Sequence, residues 1–294
     1  MKLTKTALTA GIIIPAFFYA CVKSTTPTPQ SPIHDTVTVI KTDTLRIPVV
    51  PDTPNLKNGL VFYLPFNGNF GDSSGKGNTA TAVGGAALDY DMHGYAQGAF
   101  NSNGGGARLQ YTNNGAYKVD TAFSLSFDVM VRNNTAQMIF LSIVQPSNAF
   151  GPTFNCGLNM PALPGKFSFS VNSSNSDCSS FGTSDPLNME DSTNFIPVPG
   201  SWYNMVCTFT KGVLSVYVNG QLSRTVTGSL TAVLSCPDAQ FIVGGWWNSD
   251  PQAFNGKLDE VRMYNRTLNA KEIAYLARNF QPGSTKVNPG VKTR

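Results

Sequence analysis

The side chains able to carry acid–base chemistry are few, and their spacing suits it poorly. The chain has three glutamates, Glu190, Glu260 and Glu272, and two histidines, His34 and His93. Retaining glycosidases need two carboxyls on one surface, about 5 Å apart. Glu190-Asp191 lies in a loop-like polar stretch, and Asp259-Glu260 are strand neighbours that simple alternation sends to opposite faces. Glu272 reads better as a helix cap. Asp128 with Asp89 or Asp91 stays open as a convergent pair. Nucleophilic catalysis would have to rely on His93, with no Gly-x-Ser-x-Gly turn to present a serine. Beside Tyr90 and Gly94, His93 reads as a surface or packing residue. Gly104-Gly105-Gly106 lacks the lysine and the following helix of a phosphate loop.

Binding chemistry has better material. A sugar ring lays its apolar face on Trp or Tyr, while amides and carboxylates meet its hydroxyls. Trp246-Trp247-Asn248-Ser249-Asp250 follows Gly244-Gly245 at a strand end, and two consecutive tryptophans on a strand cannot both enter the core. Trp246, Trp247, Asn248 and Asp250 are therefore the candidate glycan contacts. Tyr111, beside Asn113 and Asn114, is a further one. The competing reading is packing at an inter-sheet edge, a common use of aromatics. The run from Asn67 to Asn78 is rich in the hard oxygen donors that suit calcium, although it is not an EF-hand loop.

The composition agrees with binding. Only 38 of 294 residues are charged, 13%, and Asn, Ser and Thr together number 78. Residues 58–280 hold 12 basic and 14 acidic residues, so the +4 of the whole chain belongs to its ends. A faintly acidic domain is a poor polyanion binder, which argues against nucleic-acid partners.

Those ends read as addresses and spacers. Lys2 and Lys5 precede a 14-residue apolar stretch, Ala7 to Ala20, too short to span a bilayer and suited to a secretory signal. Phe18-Tyr19-Ala20-Cys21 resembles a bacterial lipobox, which implies cleavage before Cys21 and lipidation of Cys21. We divide the chain into a signal at 1–20, a Pro/Thr-rich tether at 21–57, a folded domain at 58–280 and a tail at 281–294. The protein is expected at the cell envelope, meeting the membrane through its lipid alone.

Export places Cys156, Cys178, Cys207 and Cys236 where disulfides persist, with three pairings open. Cys156 and Cys178 flank one strand and are the first expected pair. Cys207, on the face of Met205 and Phe209, is either a buried thiol or the partner of Cys236.

The positioning elements are strands. Phe123, Leu125, Phe127, Val129 and Val131 alternate with mostly polar neighbours, the pattern of an antiparallel strand with one buried face. Further strands are expected at 60–64, 106–111, 137–144, 153–159, 166–171, 202–210, 213–219, 221–227, 240–245 and 255–264. Asn219-Gly220 predicts a tight type I′ hairpin. One helix is expected near Asn269 to Phe280, with Asn269 as N-cap, Glu272 reaching back to it, and Ile273, Leu276, Ala277 and Phe280 on one face. The result is an all-β, two-sheet antiparallel sandwich with one short C-terminal helix.

Phe254-Asn-Gly-Lys-Leu-Asp-Glu-Val-Arg-Met-Tyr-Asn-Arg-Thr-Leu-Asn-Ala-Lys-Glu-Ile resembles the last strand and closing helix of laminin G-like jelly rolls in the concanavalin A-like lectin/glucanase superfamily. Gly59-Leu-Val-Phe-Tyr-Leu-Pro-Phe, Asp72-Ser-Ser-Gly-Lys-Gly-Asn, Phe123-Ser-Leu-Ser-Phe, Trp202-Tyr-Asn-Met-Val and Leu214-Ser-Val-Tyr-Val-Asn-Gly follow the same order. The resemblance implies two sheets with first and last strands adjacent, Trp202 in the core, and calcium at Asp72 and Asp259. Against calcium stands a turn-capping role for Asp72 and pairing of Asp259 with Arg262 or Arg266. The glucanase Glu-x-Asp-x-(x)-Glu strand motif is missing. The leading expectation is a non-catalytic carbohydrate-binding, lectin-like domain. A protein-binding adhesion module, with a cell-surface protein as partner, and a cryptic glycoside hydrolase are the alternatives.

Overall fold

A computed structural model describes residues 53–112, 119–144, 153–158, 165–173, 189–236, 238–246 and 252–280. The signal, almost all of the tether, Cys21 and the tail lie outside them. Among the described residues, fifteen strands and one helix run in the order β1 (Leu60–Leu64), β2 (Ala80–Val83), β3 (Ala87–Asp89), β4 (Ala99–Asn103), β5 (Arg108–Tyr111), β6 (Ala122–Val131), β7 (Met138–Val144), β8 (Phe154–Leu158), β9 (Phe167–Val171), β10 (Met189–Ser192), β11 (Trp202–Thr210), β12 (Val213–Val218), β13 (Gln221–Thr227), β14 (Gln240–Val243), β15 (Asn255–Tyr264) and α1 (Ala270–Asn279).

They form two antiparallel sheets. One has the order β13-β12-β11-β6-β15-β4-β3, with β1 also on β15; the other is β10-β9-β8-β7-β14-β5-β2. The ten-residue β15 explains the extra strand. Its first half pairs with β4 and its second with β1, while its other side holds β6. First and last strands are thus adjacent, as the jelly-roll resemblance implies. Glu190-Asp191, read as loop in the sequence, belongs to β10 and pairs with β9.

Alternation fills the space between the sheets. Phe123, Leu125, Phe127, Val129 and Val131 point inward from β6 and are buried. Across from them Phe123 stacks on Phe154 at 5.4 Å, and Phe140 meets Phe254 edge-on at 5.1 Å. Each buried phenylalanine contributes about 2 kcal/mol through area removed from water. On β11 the inward positions are Tyr203, Met205, Cys207 and Phe209. Trp202 is out of phase with them. It lies opposite Met130 and is only half-buried, so the expected core role is corrected.

The outer face of the eight-stranded sheet is covered in part by α1. Ile273 and Leu276 pack on Val206, Tyr264 and Leu268, with Leu56, Leu60 and Tyr217 alongside, so the domain takes in Leu56 from the end of the proposed tether. Asn219 (φ 50) and Gly220 (φ 78) make the expected hairpin. A Cβ on Gly220 would lie 2.8 Å from the Cβ of Ala277 in the helix.

Asn269 accepts from the N–H groups of Lys271 and Glu272, and Glu272 accepts from the N–H of Asn269 at 2.8 Å, a complete capping box. Glu272 also takes two hydrogen bonds from Arg266, at 2.8 and 2.7 Å. The Arg266 hydrogen bond, ahead of other causes, holds the Glu272 carboxyl below the ordinary value of 4.5. A lowered folded-state value adds stability that is fully present above pH 4.5 and disappears as pH falls through the folded value. Glu272→Gln should therefore lower stability by about 2 kcal/mol at neutral pH. It should also flatten the loss below pH 4.5, which urea melts at several pH values would read; equal acid limbs in both proteins would refute this.

Candidate functional site

The expected glycan corner begins where β14 ends. Phe241 and Val243 face the core and Ile242 faces out, so a straight continuation would leave Trp246 outward. Gly244 (φ 91) and Gly245 carry the chain over that outer face. A Cβ on Gly244 would meet the Phe100 ring at 2.7 Å. Trp246 then settles on Ile139, Val144 and Ile242, leaving 7% of its surface exposed. The Ser142 hydroxyl faces the carbonyls of Gly245 (3.1 Å) and Trp246 (3.4 Å) and pins the turn to β7. Trp246 is buried rather than an open platform, which corrects its role as a glycan contact. Trp247, Asn248 and Asp250 lie outside the described residues.

Tyr111 is also corrected. It is fully buried, with its ring 5.3 Å from Phe62 and 6.1 Å from Phe241. Its hydroxyl donates to the Phe70 carbonyl at 2.9 Å. Burial pushes the phenol pKa well up, and no face remains for a ligand.

The calcium candidates have partners of their own. Asp72 Oδ1 accepts the N–H groups of Tyr63 and Ser74, both at 2.9 Å. Its Oδ2 accepts the Ser74 hydroxyl at 2.7 Å and the Asn78 amide at 2.6 Å. A carboxylate has about four lone-pair positions, and here donors occupy all of them. Asp259 Oδ1 accepts the N–H of Glu260 at 2.7 Å. Among the described residues no three of His, Cys, Asp or Glu gather at metal distance. The donor set at Asp72 fits a turn anchor and does not fit a calcium ion.

Around Asp259 the sheet is irregular. The register shifts between Asp259 and Arg262, and Glu260 takes φ 53, so one extra residue is fitted into β15. Simple alternation fails there. Leu258 and Val261 both face the core, and Glu260 joins the outer-face network. Its carboxylate accepts from the Tyr63 hydroxyl at 3.0 Å and pairs with Arg262, whose guanidinium lies 4.0 Å over the Tyr63 ring. Burial, the chief cause, pushes the Tyr63 phenol above its ordinary range. Arg262 pairs with Glu260 and Arg266 with Glu272.

Asp128 lies opposite Asp259 across β6 and β15 and accepts the Asn204 amide at 2.7 Å. Asp89 is instead joined to Lys257 at 2.9 Å, and Asp91 closes a loop of its own. The convergent pairs read from sequence do not form; these groups brace the sheet and its loops.

The expected Cys156–Cys178 pair is not formed, and of the two readings of Cys207 the structure has the buried thiol. Cys156 and Cys207 are buried thiols outside any disulfide. Cys156 faces the core from β8, its thiol pointing to the Leu141 carbonyl at 3.7 Å, and burial raises its pKa far above the ordinary value. Cys236 is disulfide-bonded. Cys178 lies outside the described residues.

Sequence reading missed Tyr90 and Tyr95. Both stand in water, 59% and 51% exposed, on the loop between β3 and β4. Spacing gave no signal for them, because neither belongs to an alternating run.

With this geometry in place, residues 94–274 match a laminin G family model described as the concanavalin A-like lectin/glucanases superfamily. The chain belongs to this superfamily. Curated proteins give no sequence match. Among solved structures this lectin/glucanase sandwich is similar to domain 4 of AbnA, an extracellular arabinanase from Geobacillus stearothermophilus, in complex with arabinotriose. The TM-score is 0.57 and the identity 22%, over 74% of this chain and 98% of that one. It is also similar to the binding domain of botulinum neurotoxin DC in complex with SialylT, with TM-score 0.56 and 15% identity over 76% of this chain. The serotype G binding domain gives TM-score 0.54 and 16% identity over 74% of this chain. The sandwich spans about half of each toxin domain, 52% and 50%. At these identities the likeness is one of fold.

Proposed function

We propose that this domain is a non-catalytic carbohydrate-binding module of an exported envelope protein, anchored by lipid on Cys21 and held off the membrane by the Pro/Thr-rich segment after it. The observation that carries the reading is the buried Trp246. It fixes the residue that precedes Trp247, Asn248 and Asp250, which combine a sugar-stacking ring with groups that meet hydroxyls. The arabinanase domain with arabinotriose and the toxin domain with SialylT support it by showing what similar sandwiches hold. Binding without catalysis also agrees with the duties of Glu260, Glu272 and Asp72, which are tied to backbone, arginine or tyrosine.

Trp247→Ala should lower binding at least tenfold on a glycan array that captures the unaltered protein, with the melting temperature unchanged. Unaltered binding would remove Trp247 from the site. The anchor is checked separately. Metabolic labelling with an alkynyl fatty acid should mark the protein, and Cys21→Ser should abolish the label and release the protein from membranes. Continued labelling in that variant would overturn the anchor at Cys21.

A further inference from the structure

We infer a second carbohydrate-contacting surface on the loop between β3 and β4, built on Tyr90 and Tyr95, with neutral glycan chains as its ligand class. It rests on the carbohydrate-binding reading and is independent of the Trp246 corner, which belongs to the other sheet.

The loop is preformed. The buried Asp91 accepts the N–H groups of His93 (2.8 Å) and Tyr95 (2.9 Å), and its own N–H donates to the Tyr95 carbonyl at 3.1 Å. Gly94 N–H closes the turn on the Asp91 carbonyl at 3.2 Å. A Cβ on Gly98 would already touch the Asp91 side chain at 3.0 Å, so the loop closes tightly on its own cap. At the base, Lys257 donates to the Tyr90 carbonyl and pairs with Asp89, both at 2.9 Å. Asp89 also accepts the N–H of Tyr90 at 2.7 Å.

These bonds hold the backbone on both sides of the two tyrosines, yet more than half of each side chain stays in water. Rigid, exposed aromatics lose little entropy on binding. Tyr95 is supported by the His93 ring, whose centroid lies 6.4 Å from its own. Hydrogen-bonding groups meet at the base of the loop. Arg132 reaches Asn101 Oδ1 at 2.6 Å and Asp89 at 4.0 Å. Asp89 and Asp91 balance Lys257 and Arg132, so the surface has no net charge to select an ionic ligand. Exposed ring faces on a loop whose base carries an amide, a carboxylate and a guanidinium match a sugar, which has a C–H face and a rim of hydroxyls. A protein partner would need a contiguous apolar patch, and the base of this loop is polar.

The test uses the full chain carrying ring-13C tyrosine and 15N-indole tryptophan, with Tyr90→Ala, Tyr95→Ala and Trp247→Ala assigning the signals. Neutral oligosaccharides of arabinose, xylose, glucose, mannose and galactose are titrated in. Saturable shifts of the Tyr90 and Tyr95 rings with one of these sugars, and about tenfold weaker affinity in the double variant, are the expected result. Shifts at the Trp247 indole with still tyrosine signals would overturn this surface and keep the first. Tyrosine shifts with a still indole would do the reverse. No shift at either would overturn both.

Discussion

Replacing Cys236 with Ser is expected to lower stability by about 4 kcal/mol and the melting temperature by about 10 °C. Cys236 is disulfide-bonded and 2% exposed, in the segment that carries the chain from β13 to β14. That segment lies beside the end of β9. Ser173 bridges to Val233, and Leu234 N–H donates to the Asn172 carbonyl at 2.8 Å. Cys156 and Cys207 keep their thiols, which leaves Cys178, five residues beyond Ser173, as the sulfur nearest in sequence. A bond from 178 to 236 closes a long loop, and the chain-entropy rule gives about 4 kcal/mol for that closure. Peptide mapping without reductant should recover Cys236 joined to Cys178. Dithiothreitol should lower the melting temperature of the unaltered protein to that of Cys236→Ser, and should leave the variant where it is. A melting temperature indifferent to reductant would defeat the prediction.

Much of this fold was legible because its causes are local. Period-two burial in β6, the Asn219-Gly220 turn and the capping box at Asn269 each depend on residues close in sequence. Four strands escaped notice, β2, β3, β4 and β10; the first three bury few large side chains and show no long alternation. They are specified by their neighbours in the sheet rather than by their own pattern.

The sites were harder to read, for the same reason. Nothing in Val-Gly-Gly-Trp-Trp tells that Trp246 is covered. That burial is supplied by Ile139 and Val144 of β7, far away in sequence. Glu260 leaves the alternation because β15 must serve both β4 and β1 on one edge, and a bulge between the two pairings reconciles them. Cys156 was paired with Cys178 on sequence proximity, yet its strand phase sends it into the core between the sheets. Tyr90 and Tyr95 stand out only once their exposure is known. Local chemistry thus announced the scaffold, and long-range register decided which of the aromatic and ionisable groups a ligand can reach.

Removing the carboxylate of Asp72 is expected to cost about 3 kcal/mol, and calcium is expected not to matter to that loss. The side chain joins the turn after β1 to the strand itself. Besides the four donors on its oxygens, the same Ser74 hydroxyl and Asn78 amide reach the Val61 carbonyl at 3.2 and 3.0 Å, and Ser73 N–H reaches the Tyr63 carbonyl at 2.7 Å. Asp72→Ala would leave the Tyr63 N–H without its acceptor and the buried Asn78 amide with one acceptor fewer, and a buried polar group stripped of its partner costs about 1–3 kcal/mol. Asp72→Asn is the sharper variant. It keeps the volume but puts an NH2 where two donors already converge, so it should be nearly as damaging as alanine. A bound calcium would give a different pattern: EDTA would lower the melting temperature of the unaltered protein, excess calcium would raise it, and neither would act on the variants. If Asp72 is a turn anchor, urea melts will show the same midpoint with EDTA and with millimolar calcium, and both variants will fall by similar amounts. A calcium-dependent midpoint in the unaltered protein would refute the anchor and restore the ion.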